Sequence, residues 1–143
     1  MSESRLTEAL MYGQPTPHQK DVLQETLQLG LDFLSGEARG GKVIDYRSEQ
    51  ALREAMACDL PRAGTPMPAL LAELRETVVR FSVAQGDARY LAFPDAGNSL
   101  ASLSADILSA FTNQNLIAFD RSAPSGTVVE MQLIHWLREL IGF

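Results

Sequence analysis

The sequence is poorest in the residues that cross-linking and catalysis most often use. It has one cysteine, Cys58, so an internal disulfide and a multi-cysteine zinc site are both excluded. That usage fits a reducing compartment. Lysine occurs only at Lys20 and Lys42, and histidine only at His18 and His135. Basic residues are scattered and the formal net charge is −6. Release of counterions from a phosphate backbone needs clustered Lys and Arg, so nucleic acid is not an expected partner. No apolar run approaches the roughly 20 residues that span a bilayer, so no membrane association is expected. The start, Met1-Ser2-Glu3-Ser4-Arg5, lacks a basic region followed by an apolar core, which makes the cytoplasm the expected location.

Strand-like alternation, internal repeats and low-complexity tracts are also missing. What is present is a chain of 143 residues, 45% hydrophobic and 21% charged, which suits a soluble globular domain with a core of its own. Residues 1–16 read as a flexible arm. Leu23, Leu27, Leu31 and Leu34 then repeat at helical spacing and predict a first helix from about His18 to Ser35, with Thr16 as cap, Pro17 in the first turn and Gly36 at the end. Ser48 to Ala57 predicts a short second helix with Ser48 as N-cap and Leu52 and Met56 on its apolar face. A third, from about Pro68 to Ala84, carries Leu70, Leu74, Val78 and Phe81 on one stripe. The fourth, about Ser99 to Thr112, is expected to bury Leu100, Leu103, Ile107, Leu108 and Phe111. The loop Ala123-Pro124-Ser125-Gly126 leads into a fifth, from about Thr127 to Ile141. The fold class is therefore mostly α, and residues 86–97 are the best candidate for a boundary.

The fifth helix is apolar on more than one side. Val128, Val129, Met131, Leu133, Ile134, Trp136, Leu137, Leu140 and Ile141 exceed a single stripe at 3.6 residues per turn. Each such side chain gains about 1.5–3 kcal/mol when fully buried, so exposure of several is costly and favours aggregation. Another polypeptide covers this surface, or the chain is a fragment, or the helix is the centre of a compact bundle.

Motifs for catalysis are few. There is no His-Glu-x-x-His and no Gly-x-Ser-x-Gly. Gly40-Gly41-Lys42 lacks the first glycine, the following hydroxyl residue and the preceding strand of a phosphate loop, and reads better as a flexible loop. His135 reads as a core or interface residue, and His18 as an exposed residue at a helix start. Asp95, Asp106, Asp120 and Glu130 share no clear helix face and read as solvated carboxylates. Asn113-Gln114-Asn115 reads as a helix end.

Several segments nevertheless recur in a family-like order. Asp87-Ala88-Arg89-Tyr90-Leu91-Ala92-Phe93-Pro94 is similar to a His-Pro-Arg-Phe segment running into an aromatic–proline loop, with Asp87-Ala88 in place of His-Pro. Ala105-Asp106-Ile107-Leu108, Asn113-Gln114-Asn115, Ala123-Pro124 and Val129-Glu130-Met131 with Ile134-His135-Trp136-Leu137 follow, and Tyr46 to Leu60-Pro61 precedes them. Together, from about residue 25 to 143, they resemble the opening of the group II pyridoxal-phosphate-dependent amino-acid decarboxylases, the family of aromatic-amino-acid, glutamate, histidine and diaminobutyrate decarboxylases.

The resemblance implies an N-terminal helical dimerisation region over residues 17–86. It further implies that residues 87–143 form a pocket loop and the leading helices of an α/β PLP-transferase large domain, of the aspartate aminotransferase type, that is otherwise absent. By position Phe93, Pro94 and Ala96 match the family's loop lining the substrate pocket, and Leu116, Ala118 and Phe119 match a stretch reaching the pocket of the opposite subunit. The implied cofactor is pyridoxal phosphate, the implied substrate an amino acid, and the implied partner a second copy or a lysine-bearing large-domain chain. Decarboxylation with this cofactor needs a Schiff-base lysine, an acid for the pyridinium nitrogen and a phosphate cradle. In the family these lie downstream of the matched region, and neither Lys20 nor Lys42 matches the lysine's position. The expectation is a decarboxylase portion that neither binds the cofactor nor turns over by itself. The alternatives are a non-catalytic helical interaction or regulatory module derived from the family, and an unrelated helical regulator.

Overall fold

The computed structural model describes residues 13–92 and 97–143; of the arm expected at residues 1–16, residues 1–12 lie outside the described residues and Thr16 is held as the cap of the first helix. Five helices and no strand occur among the described residues. The chain divides into two units, one ending at Gly97 and one spanning Asn98–Phe143.

In the first unit, α1 spans Pro17–Ser35. Its start follows from local chemistry. The Thr16 hydroxyl accepts from the Gln19 amide at 3.2 Å while the Gln19 side chain accepts from the Thr16 amide at 2.9 Å, so a capping box satisfies donors that a helix leaves open. Pro17 supplies the pre-set φ of a first helical residue. Gly36 ends the helix in the left-handed conformation at φ 91°. A 3₁₀ turn, Glu37–Arg39, follows. Helix α2, Glu49–Ala55, is capped by Ser48, whose hydroxyl accepts from the Ala51 amide at 3.2 Å. Leu52 is half-buried on it, whereas Met56, just past its end, is exposed.

Helix α3, Met67–Leu74, runs into a π-helical stretch, Arg75–Val79, and stays helical only to Phe81 rather than to Ala84. The last turn is lost because the Ala84 amide bonds the Val43 carbonyl at 2.9 Å instead of continuing the helix. Within the π stretch the Thr77 hydroxyl sits 2.6 Å from the Glu73 carbonyl, the acceptor that Thr77's own amide would use in an α-helix. The wider turn shifts the register by one residue. Val78, expected on the buried stripe, is therefore exposed, and Val79 lies half-buried, lining an apolar groove with Leu29 and Phe33 of α1.

The α1 stripe also needs correction. Leu29 is buried and Val22 and Phe33 half-buried, while Leu27, Leu31 and Leu34 are exposed and Leu23 is only half-buried. Polar contacts fix the rotation of the helix. Asp32, on the same side as Leu29, is ion-paired to Arg75 of the π stretch, and the Arg39 guanidinium lies 5.0 Å from the centroid of the Phe33 ring. The regular leucine stripe is left on the far side.

In the second unit, α4 spans Leu100–Thr112, capped by the Ser99 hydroxyl and ended by Asn113 at φ 44°. The expected helix end at Asn113 is thus observed. Helix α5 spans Pro124–Ile141, starting a turn before the expected Thr127. Pro124 occupies its first position, and the Thr127 amide and hydroxyl both bond the Ala123 carbonyl, at 3.0 and 2.8 Å. Ala123 is the one buried residue of this unit. The burial expected along α4 does not occur: Leu100, Leu108 and Phe111 are exposed, and Leu103 and Ile107 half-buried. Every apolar residue of α5 from Val128 to Ile141 is exposed too, so α5 is not the enclosed centre of a bundle. Two helices and a loop have no third element to close over them.

Two outcomes are expected. Thr16→Ala should cost about 1 kcal/mol of stability in the first unit through loss of the cap, read by denaturant unfolding of helical circular dichroism, with Thr16→Ser near wild type. The purified chain should self-associate with rising concentration in sedimentation, and Ile134→Gln with Leu137→Gln should suppress this; a clean monomer at high concentration would count against the apolar surface as its cause.

Candidate functional site

The residues expected to line a pocket fall in both units. Phe93, Pro94 and Ala96 of the first lie outside the described residues, as does Asp95. Leu116, Ala118 and Phe119 of the second stand together in the connection between α4 and α5. That connection is built from backbone turns. The Asn115 side chain accepts from the Ile117 amide at 3.0 Å, and the Ala118 carbonyl accepts from the amides of Ser122 and Ala123, both at 3.2 Å. Leu116 lies over the first turn of α5, where a Cβ added to Gly126 would come within 3.1 Å of its Cδ2. Leu116 and Phe119 are exposed and Ala118 half-buried, so the connection presents an apolar edge to solvent.

The lead-in to the other predicted loop is held by one ion pair. Arg89 donates from its amide and its Nε to Oδ1 of Asp87, both at 2.9 Å, and from Nη2 to Oδ2 at 2.7 Å. The Arg89 side chain beside it, then the Arg89 amide, hold the Asp87 carboxyl far below the usual carboxylate range. The same Nη2 reaches the Gly41 carbonyl at 2.8 Å, across 48 positions of sequence. Gly86 and Gly97 bracket the segment and approach so closely that a Cβ on Gly97 would stand 2.9 Å from the Gly86 Cα.

Beside it lies a charged junction that sequence reasoning missed. Asp45 is buried and accepts from Lys42 Nζ at 2.9 Å and Arg80 Nε at 3.4 Å, with Arg47 at 3.6 Å. Lys42 is the main cause of the lowered pKa of Asp45. Arg39 is buried and donates to the carbonyls of Phe33 and Lys42. Arg39, Lys42, Asp45 and Arg80, with Glu76, line a cleft of about 260 Å³. The only legible signal was the density of charge between Arg39 and Arg47, since the partners come from α3 and its extension.

The glycine segment does not form a phosphate cradle. The amides of Gly40, Gly41 and Lys42 donate inward to the carbonyls of Glu37, Gly36 and Arg39, leaving none of the three directed at a ligand. Neither lysine fits a pyridoxal-phosphate site. Lys20 is exposed in the first turn of α1, and half-exposed Lys42 is engaged by Asp45. His135 is exposed and pairs with Glu139 at 3.4 Å rather than joining a core. Among the described residues no group of His, Cys, Asp or Glu could hold a metal, and no helix is long and apolar enough to cross a membrane.

Comparison with known proteins gives a coherent result. The pyridoxal-dependent decarboxylase conserved domain matches residues 50–143. The chain is 23% identical over 128 residues to a glutamate decarboxylase of Drosophila melanogaster, covering 89% of this chain and 25% of that protein. It is 28% identical over 136 residues to an L-2,4-diaminobutyrate decarboxylase of Acinetobacter baumannii, covering 88% and 26%. The chain thus spans about a quarter of the length of these curated relatives.

The Asp87 contact has a testable pH dependence. Because its folded pKa lies below its unfolded one, the pair stabilises the lead-in at every pH above the ordinary aspartate range and loses that effect only as pH falls below it. A carbon-detected NMR titration should show no inflection for Asp87 at about pH 4, where an unperturbed aspartate is half protonated, and should place it at lower pH.

Proposed function

The chain belongs to the pyridoxal-dependent decarboxylase family, and from that premise we propose that it supplies subunit contacts and part of the substrate-pocket wall of an amino-acid decarboxylase. The observation that carries this is the pairing of a family match over residues 50–143 with an apolar surface on α4, α5 and their connection that nothing within their own unit covers. In this proposal the leading helices of a PLP-transferase large domain are α4 and α5, and their exposed side chains pack against the rest of that domain. Residues 17–86 contribute to the dimer contact. A cytoplasmic location accompanies it.

The chemistry of carbon dioxide loss comes from pyridoxal phosphate when the whole enzyme holds it. This chain's residues do not fit that group, because Lys20 is exposed on α1, Lys42 is engaged by Asp45 and the amides of the glycine turn are used internally. No step is therefore assigned to them. Phe93, Pro94 and Ala96 shape the space beside the substrate in one subunit, and Leu116, Ala118 and Phe119 reach that of the opposite subunit instead. The reactive lysine is supplied by sequence outside residues 1–143, in the same polypeptide or in a partner. A non-catalytic module derived from the family would use the same apolar surface.

Mixing residues 1–143 with pyridoxal phosphate should leave the cofactor's absorption spectrum without a saturable change. A saturable band abolished by substituting Lys20 or Lys42 would overturn the proposal. Co-expression with a lysine-bearing large-domain chain should restore amine production, and association without amine production would favour the non-catalytic module.

A further inference from the structure

The π stretch puts one surplus residue into α3, and ion pairs hold it there. The Arg80 amide donates to the Arg75 carbonyl, so Arg80 stands one wide turn above Arg75. At 3.6 residues per turn the same two positions would lie about 140° apart around the helix. The wide turn therefore brings both guanidinium groups toward one side. There Arg75 pairs with Asp32 of α1, and Arg80 pairs at 3.4 Å with Asp45 of the connection before α2. Both aspartates are buried. A third tie, from the Ala84 amide to the Val43 carbonyl at 2.9 Å, fixes the end of the helix in the same phase.

The sequence also encodes the other register. Leu70, Leu74, Val78 and Phe81 recur at α spacing and would form one continuous stripe. The π turn breaks it. Val78 is 51% exposed, while Val79 and Ser82 line an apolar groove of about 320 Å³ with Leu29, Gly30 and Phe33 of α1. Phe81 is only half-buried, its ring centroid 5.9 Å from the Arg47 guanidinium and 5.7 Å from that of Arg80. Absorbing the surplus residue would rotate all that follows by about 100°. Val78 and Phe81 would then take the places of Val79 and Ser82, and a phenyl ring would enter the groove where a hydroxymethyl group now stands. Apolar burial favours that register. Pairing of two buried carboxylates favours the observed one.

We propose that α3 is a two-register helix: the Asp32–Arg75 and Asp45–Arg80 pairs latch the π register and keep the groove beside α1 open, and their release lets the helix tighten and close the groove with Phe81. The coupling runs through helical phase, because residues beyond the wide turn rotate together. Release strands neither carboxylate. Asp45 keeps Lys42 and Arg47, and Asp32 keeps the Gln28 side chain, which donates to it at 2.7 Å. Every part of the device lies in the first unit, so it stands apart from the pocket-wall role.

Single cysteines can read the register. With the exposed Cys58 removed by Cys58→Ser, Val78→Cys and Val79→Cys are introduced separately and their reaction with a maleimide is timed in the full chain. Position 78 should react faster than position 79, since thiol reactivity follows exposure. Arg75→Met with Arg80→Met should reverse that order, each arginine contributing about fivefold to the shift, the scale of one half-exposed ion pair. An unchanged order overturns the proposal. Equal rates at the two positions overturn it as well, because they mark a helix that has melted rather than turned.

A deletion supplies the converse. Removing Val78 takes out the surplus residue and leaves Arg80, Ser82 and Ala84 in their observed phase, so an unbroken α-helix can keep all three ties. Its midpoint of denaturant unfolding should equal or exceed that of the wild type. Val79→Cys in the shortened chain should react slowly with or without the two arginine substitutions, since no second register remains. Loss of folding on deletion, or acceleration at position 79 when the arginines are replaced, would defeat the two-register reading.

Discussion

The first unit is organised around a turn that satisfies itself. Once Gly36, Gly40 and Gly41 bend the chain back, the amides of residues 40–42 are used internally and Arg39 is drawn under the turn to cap two carbonyls. A buried guanidinium without acceptors would be expensive, so this arrangement keeps the segment in one conformation. The neighbouring elements then follow from it. Asp45 leaves the turn at a point where Lys42, Arg47 and Arg80 can reach it, and α3's extension is tied to the turn through Arg80 and Ala84. The rotation of α1 is set by Asp32 and by the stacking of Arg39 on Phe33.

The second unit is constrained by what it lacks. Its caps are well made, from the Ser99 hydroxyl at the start of α4 to Pro124 and the Ala123 carbonyl at the start of α5. Only Ala123 is buried. Local chemistry therefore accounts for the helices, while no packing within the unit accounts for their apolar composition. The chain spans about a quarter of the length of the curated relatives it matches, and under the function proposed above this surface meets further polypeptide.

Most of the helix inventory was legible from short-range signals. Thr16 with Pro17, Ser48 and the glycine after Ser35 all act where their chemistry predicts, because a cap needs only its own few neighbours. Faces were less legible. Leu23, Leu27, Leu31 and Leu34 form the more regular stripe on α1, but tertiary partners for Asp32 and Phe33 turn the opposite side inward. The face of Val78 is illegible for a related reason: the helix widens into the π stretch Arg75–Val79, and periodicity counted at 3.6 cannot register an inserted residue. Of the site, the sequence indicated the segments by resemblance, but the acceptor of Arg89 lies 48 positions upstream and emits no side-chain signal.

That last contact has an evolutionary corollary. A main-chain oxygen is present whatever residue occupies a position, so Arg89 has no side-chain partner at Gly41 with which to exchange compensating substitutions. Searches for correlated changes among relatives would pass over this pairing. Its trace would instead be a steric one, a requirement at position 41 for a residue that tolerates a left-handed backbone.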